Sequence, residues 1–226
     1  MELAIDTTTE WASIALSHQG EVQAELTWCV GRNHSVELMP AIISLLHQAK
    51  TDVASLTGIV VARGPGSFNG IRVGMAVAKG LAFALSVPLI GLSSLESLAF
   101  PHRWQGLPVC ALRPAGLDLA VALFRWRRGR QEELWPGQLM STEDLLAKVK
   151  ARTLFCGEVG APLKDRLKEA LGAKAVFAPW SAPKSGYLIE MAWPQLERGE
   201  GDDPFTLQPL YLRPPHITIR KERGRG

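Results

Sequence analysis

Three cysteines in 226 residues, Cys29, Cys110 and Cys156, are too few and too far apart to frame the fold with disulfides or to make a paired-cysteine metal site. Each is expected as a small buried apolar residue. The five histidines, at positions 18, 34, 47, 102 and 216, never fall at HxxH or HxxxH spacing, so helix-borne metal chelation has no support. His34 and His47 are expected to be hydrogen-bonded or solvent-facing. A Gly-x-Ser-x-Gly nucleophile elbow is missing too, because no glycine stands two residues to either side of Ser67. No basic and apolar leader opens the chain, and its most apolar stretch, residues 71 to 90, carries Arg72 and Lys79 and meets Pro88. These absences predict a cytoplasmic protein with no membrane segment. No internal repeat and no low-complexity linker is evident.

Charge of one sign is also scarce. The net charge is +3, from 25 Lys and Arg against 22 Asp and Glu. Basic residues concentrate in two places: Arg125, Arg127, Arg128 and Arg130 around Gly129, which read as a polar turn after a strand, and Arg213, Arg220, Lys221, Arg223 and Arg225 at the end of the chain. A basic tail can touch phosphates through charge alone, so weak contact with a phosphate-bearing partner stays open beside a plain solvated terminus.

What is present is 46% hydrophobic residues and a chain that alternates strand and helix signals. Leu3–Ile5, Ala12–Ser17 and Val22–Trp28 predict an antiparallel meander with turns at Asp6-Thr7-Thr8-Thr9 and His18-Gln19-Gly20. A helix follows over 35–49, strained by Pro40. Then come a buried strand at Ile59, a long helix over 71–85 and a strand at 89–91, with Ser93-Ser94-Leu95-Glu96 as a capping box for a further helix. The second half predicts strands over 108–112, 119–126, 153–156 and 175–177, and helices over 143–151, 162–171 and 185–198. The plan is α/β with mixed sheets. Trp104, Trp126, Trp135, Trp180 and Trp193 are expected to fill cores or the lobe interface.

The most telling segment is Gly64-Pro65-Gly66-Ser67-Phe68-Asn69-Gly70-Ile71-Arg72-Val73-Gly74, placed between an apolar strand and the long apolar helix. Its glycines and the helix N-terminus could hold an anion, together with Asp6 and Thr7 at the end of the first strand; equally, Gly64, Gly66 and Ser67 could form a tight turn that serves packing only. Both long helices of the first half are apolar around most of their circumference, and Gly70, Gly74, Ala78 and Ala82 allow close approach of another element. That pattern predicts a helical docking patch, with cover by the second half of the chain as the alternative.

The segments Leu3-Ala4-Ile5-Asp6-Thr7-Thr8-Thr9-Glu10, His34-Ser35 to Leu38-Met39-Pro40, the glycine loop, Gly91-Leu92-Ser93-Ser94-Leu95-Glu96 and Pro209-Leu210-Tyr211-Leu212-Arg213 resemble the bacterial TsaB family, also called YeaZ. The likeness is dense over residues 1–100 and thin between 101 and 205. It implies a two-lobed actin-like, Hsp70-like and sugar-kinase-like (ASKHA) fold, with an N-terminal lobe over 1–103, a second lobe over 104–204 and a segment over 205–226 that returns to the first. It also implies a glycoprotease-like relative that is not itself an enzyme. Its partners would be the threonylcarbamoyltransferase TsaD, the ATPase TsaE and a second copy of itself, in the complex that places threonylcarbamoyl on adenosine 37 of tRNA.

No cofactor is expected, save a nucleotide at the interface with a partner. The docking patch is then expected to use His34, Leu38, Ile42 and Leu45 of one helix and Gly70, Arg72, Gly74, Met75, Ala78, Lys79 and Ala82 of the other. In TsaD-like relatives an NHxEGH-type motif holds a metal; Ser94 and Leu98 stand at its histidine positions here, so no metal centre is expected. Arg113 stands where an aspartate would face Asp6 across the cleft, which predicts little or no ATP hydrolysis. The rival reading is an independent actin-like ATPase or small-molecule kinase that uses Asp6 and the loop from Gly64 to Gly70.

Overall fold

Leu3, Ala4 and Ile5, and likewise Ile59, Val60, Val61 and Ala62, are buried on both faces, which is what strands in the middle of a helix-covered sheet require. A computed structural model describes residues 1–31 and 33–213. In it these residues form β1 (Glu2–Asp6) and β4 (Gly58–Ala62), central in a sheet with β2 (Trp11–His18), β3 (Glu21–Cys29) and β5 (Leu89–Leu92), in the order β3-β2-β1-β4-β5. β1 runs antiparallel to β2 and parallel to β4. Side chains alternate between the faces. Leu3, Ile5, Ile14, Leu16, Ile59 and Val61 pack under α1 (His34–Gln48) and α2 (Phe68–Leu85), whereas Ala4, Ala15, Val60 and Ala62 meet α6 (Gly186–Leu196) on the other side.

The second sheet holds β6 (Val109–Ala115), β7 (Asp118–Arg127), β8 (Arg130–Met140), β9 (Thr153–Gly157) and β10 (Ala175–Phe177) in the order β10-β9-β6-β7-β8. Taken from the other edge, this is the first sheet again: two antiparallel neighbours, then two parallel ones. Its outer face is covered by α4 (Thr142–Lys148) and α5 (Ala161–Leu171), which stand in the connections that α1 and α2 occupy in the first half. The chain is therefore an internal duplication that its sequence does not display.

The third helix of each unit crosses over. α3 (Ser94–Ala99), the last helix of the first unit, covers the inner face of the second sheet with Leu95 and Ala99, and α6 covers the inner face of the first sheet with Leu188, Ile189 and Ala192. The expected boundary at residue 204 thus differs from the packing. The chain is tied to the first sheet from Ser185 onward, where Ser185 N–H donates to Ser13 Oγ at 2.9 Å and Ser185 Oγ donates to Ser13 O at 2.8 Å.

Three local expectations change in the structure. Ser93 makes no side-chain cap; Ser94 Oγ donates instead to Pro65 O at 2.5 Å, and α3 is only six residues long. Pro40 lies within an unbroken α1 on its exposed side. β8 is an additional edge strand over the charged run Arg130-Gln131-Glu132-Glu133. The arginines at 125, 127, 128 and 130 do surround the β7–β8 turn, where Gly129 has φ of 75°.

Candidate functional site

Two loops of the first lobe meet at the mouth of the cleft between the sheets. Asp6 closes its own turn: Oδ1 accepts from Thr8 N–H at 2.9 Å and from Thr8 Oγ1 at 2.7 Å. The glycine loop lies against that turn, with Ser67 N–H donating to Thr8 O at 2.7 Å and Thr7 Oγ1 donating to Gly70 O at 2.7 Å. A Cβ on Gly66 would stand 2.2 Å from Thr8 O, and one on Gly74 would stand 2.2 Å from Thr7 Oγ1. These glycines serve contact between α2 and the β1–β2 turn. Ser67, whose Oγ accepts from Gly70 N–H at 3.3 Å, caps α2, while Asn69 is already helical.

From the second lobe Arg113 of β6 enters the same place. Its side chain is buried, with Nη1 donating to Thr8 Oγ1 at 2.6 Å and to Pro65 O at 3.3 Å, and Nε 3.4 Å from Glu158 Oε1. The cleft beside it, about 390 Å³, is lined by Thr9, Trp11, Ser67, Glu158 and Trp180 among others. The residues do not fit a metal-bound phosphate group. One oxygen of Asp6 is engaged by its own turn, the group that faces it across the lobes is a cation, and no cluster of three or more His, Cys, Asp or Glu side chains occurs among the described residues. Ser94 is fully buried with its hydroxyl on Pro65 O, and Leu98 lines the cleft as an apolar wall.

Most of the residues expected to dock face inward, the exceptions being Arg72 and Lys79. Leu38, Ile42, Leu45, Met75, Ala78 and Ala82 belong to the core under the first sheet, and Gly70 and Gly74 are buried against Thr7. His34 is buried as well, its Nε2 2.9 Å from Thr9 O. Arg72 is exposed but engaged, its guanidinium 3.9 Å from the Phe68 ring and its Nε 3.3 Å from Tyr211 Oη. Lys79 is half-buried.

The surface the pair presents is a different one. Val36 (71% exposed), Met39, Pro40 and Ile43 (49%) of α1 lie in the open, as do Ala76, Gly80 and Phe83 (65%) of α2. Phe83 is in edge contact with exposed Phe205, their ring centroids 5.7 Å apart. On the equivalent pair of the second lobe, the exposed charged positions are Glu143, Asp144, Lys148, Asp165, Arg166, Lys168 and Glu169, with Arg166 paired to Glu143.

Other side chains refine this picture. Burial pushes the Glu96 carboxyl up, against a hydrogen bond from Gln131 Nε2 at 2.7 Å. Burial raises Cys156 to about 12 and Cys110 well above the ordinary thiol range, so both are unreactive core residues, whereas Cys29 is exposed on its edge strand. Trp104 and Trp180 are exposed rather than core, the latter in edge contact with Trp11 at the cleft mouth. Arg213 pairs with Asp118, and Arg220, Lys221, Arg223 and Arg225 lie outside the described residues. α2 is long and apolar enough to cross a bilayer by length and composition, yet its Ile71, Met75, Ala78 and Ala82 are buried over the sheet, as in a core helix.

Two sheets of identical order that face each other across a cleft and exchange their third helices define the actin-like and sugar-kinase-like class of two-lobed proteins. Component A of (R)-2-hydroxyglutaryl-CoA dehydratase from Acidaminococcus fermentans shares this fold, with a TM-score of 0.50 and 13% identity over 88% of this chain and 98% of that one. YeaZ from Pseudomonas aeruginosa superposes at a TM-score of 0.75 with 27% identity, over 93% of this chain and 99% of its own. A family model described as TsaD, tRNA N6-adenosine threonylcarbamoyltransferase, matches residues 28–150. The tRNA threonylcarbamoyladenosine biosynthesis protein TsaB of Bacillus subtilis is 36% identical over 217 residues, 93% of each chain. The chain belongs to the TsaB family, whose members are named for tRNA threonylcarbamoyladenosine biosynthesis.

Proposed function

We propose that this chain is the docking subunit of a cytoplasmic tRNA threonylcarbamoyltransferase complex, which binds the transferase TsaD, works with the ATPase TsaE and supplies no catalytic group of its own. The observation that carries this reading is the contrast between the two equivalent helix pairs: α4 and α5 expose seven charged side chains, and α1 and α2 expose Val36, Met39, Ile43 and Phe83 beside polar residues such as Ser44 and Gln48, with Arg72 as the exposed charge among the described residues. An apolar patch of that kind on a helix pair is the signature of a surface that a partner covers. The docking residues are the outward ones, with Arg72 and Lys79 at the edge. In the absence of TsaD the same face would pair two copies of the chain. Contact with tRNA is indirect, through the complex.

The test is light scattering of the chain mixed with TsaD. Wild type is expected to form a one-to-one complex; Val36→Glu and Ile43→Glu are expected each to weaken it by about 2 kcal/mol, roughly 30-fold in Kd, while the fold stays intact. A complex that forms unchanged with both variants would remove the reading.

A further inference from the structure

Arg113 does more than stand where an acid would be expected. The residue is 3% exposed, and its guanidinium reaches both loops of the opposite lobe at once, the Asp6–Thr9 turn through Thr8 Oγ1 and the glycine loop through Pro65 O. The polarity of the chain of contacts is forced: a guanidinium only donates and a carboxylate only accepts, so the Thr8 hydroxyl must take a proton contact from Arg113 and pass its own to Asp6 Oδ1. Arginine cannot shed its charge on burial. Glu158, just after β9 in the same lobe as Arg113, lies 3.4 Å from Nε as a nearby countercharge that makes no hydrogen bond to it. The same Pro65 carbonyl also accepts from Ser94, which anchors the start of α3, the helix lent to the second sheet.

We propose that Arg113 is an internal tie that sets the angle between the two lobes, so that closure depends on this contact and not on a small molecule in the cleft. Opening the lobes would strip a buried cation of Thr8 Oγ1 and Pro65 O together, and it would leave Asp6 and Thr8 facing the cleft without their counter-charge. The tie runs from β6 through Thr8 to the turn on which α2 rests, by way of Thr7 and Gly70. Its purpose is a fixed shape.

The experiment is a distance measurement between spin labels at Gln48→Cys and Glu169→Cys, one exposed position on each lobe, in a Cys29→Ser background. Wild type is expected to give one narrow distance that does not move when Mg²⁺ and ATP are added. Arg113→Ala is expected to broaden the distribution at least twofold, and Arg113→Lys to broaden it less. Because Arg113→Ala removes a buried group, Thr8→Val and Thr8→Ser read the same contact with the arginine in place: the valine is expected to broaden the distribution and the serine to keep it narrow. An unchanged distribution in the folded Arg113→Ala or Thr8→Val chain would overturn the proposal. So would a wild-type distance that shifts with Mg²⁺ and ATP.

Discussion

The two lobes repeat one architecture, sheet for sheet and helix for helix, and differ in what their helix pairs show to the outside. Each pair buries an apolar face over its own sheet: Leu38, Ile42, Met75 and Ala78 in the first lobe, Leu145 and Leu167 in the second. The outer faces diverge. α4 and α5 carry seven exposed charged positions, and on α1 and α2 the exposed charged position among the described residues is Arg72. Since both pairs solve the same packing problem, the fold alone does not demand the apolar outer face of α1 and α2. On the docking reading proposed above, the difference reflects what the first pair meets, and the equivalent pair serves as its internal control.

The comparison can be broken most severely from the inside. Gly74→Arg forces a side chain into the space held by Thr7, and Ala78→Glu puts a carboxylate where nothing is exposed. Each is expected to cost about 4 kcal/mol or more, seen as a collapse of the urea midpoint, and neither would report on a partner. The outer face separates stability from association. Val36→Glu and Ile43→Glu are expected to leave stability within about 0.5 kcal/mol while the complex weakens roughly 30-fold, as read by urea denaturation beside light scattering. The mirror change in the second lobe, Arg166→Ala, cuts the surface pair with Glu143 and is expected to cost under about 1 kcal/mol with no loss of TsaD binding.

The smallest effect concerns Glu96 at the junction of the lobes. Its folded pKa is raised by burial above 4.5, so the folded chain holds more protons than the unfolded one between 4.5 and that higher value. Stability from this group is full below 4.5 and falls as pH rises through the folded pKa. Glu96→Gln is expected to raise the urea midpoint at pH 7 and to lose that advantage as pH drops toward 4. A midpoint difference independent of pH would contradict the assignment.

Much of the fold was legible before the structure. β1, β4 and α2 are continuous apolar runs, and the β1–β2 meander shows its turns, because burial on both faces leaves no room for polar residues. β8 was hidden since it is an edge strand, where Arg130, Glu132, Glu133 and even Pro136 face water without penalty. The duplication was hidden because equivalent strands share a buried apolar run and not the identity of their polar residues: Asp6 ends β1 while Arg113 sits on β6.

The residues expected at the docking patch lie on α1 and α2, mostly on the stripes of those helices that face the sheet. On helices that are apolar nearly all round, periodicity cannot say which stripe meets the sheet, and the small residues at 70, 74, 78 and 82 looked available to a partner. They are taken by Thr7 and the core, which leaves Val36, Met39, Ile43 and Phe83 outside. Arg113 was noticed for the acid it replaces; its reach to Thr8 and Pro65 depends on contacts 105 and 48 residues apart in the chain, which no local pattern reveals.

The most direct test of the central claim is hydrogen exchange of the chain with and without TsaD, resolved to single helices. The account predicts slower exchange along α1 and α2 on addition of TsaD and unchanged exchange along α4 and α5. Protection that falls on α4 and α5, or on neither pair while a complex forms, would contradict it.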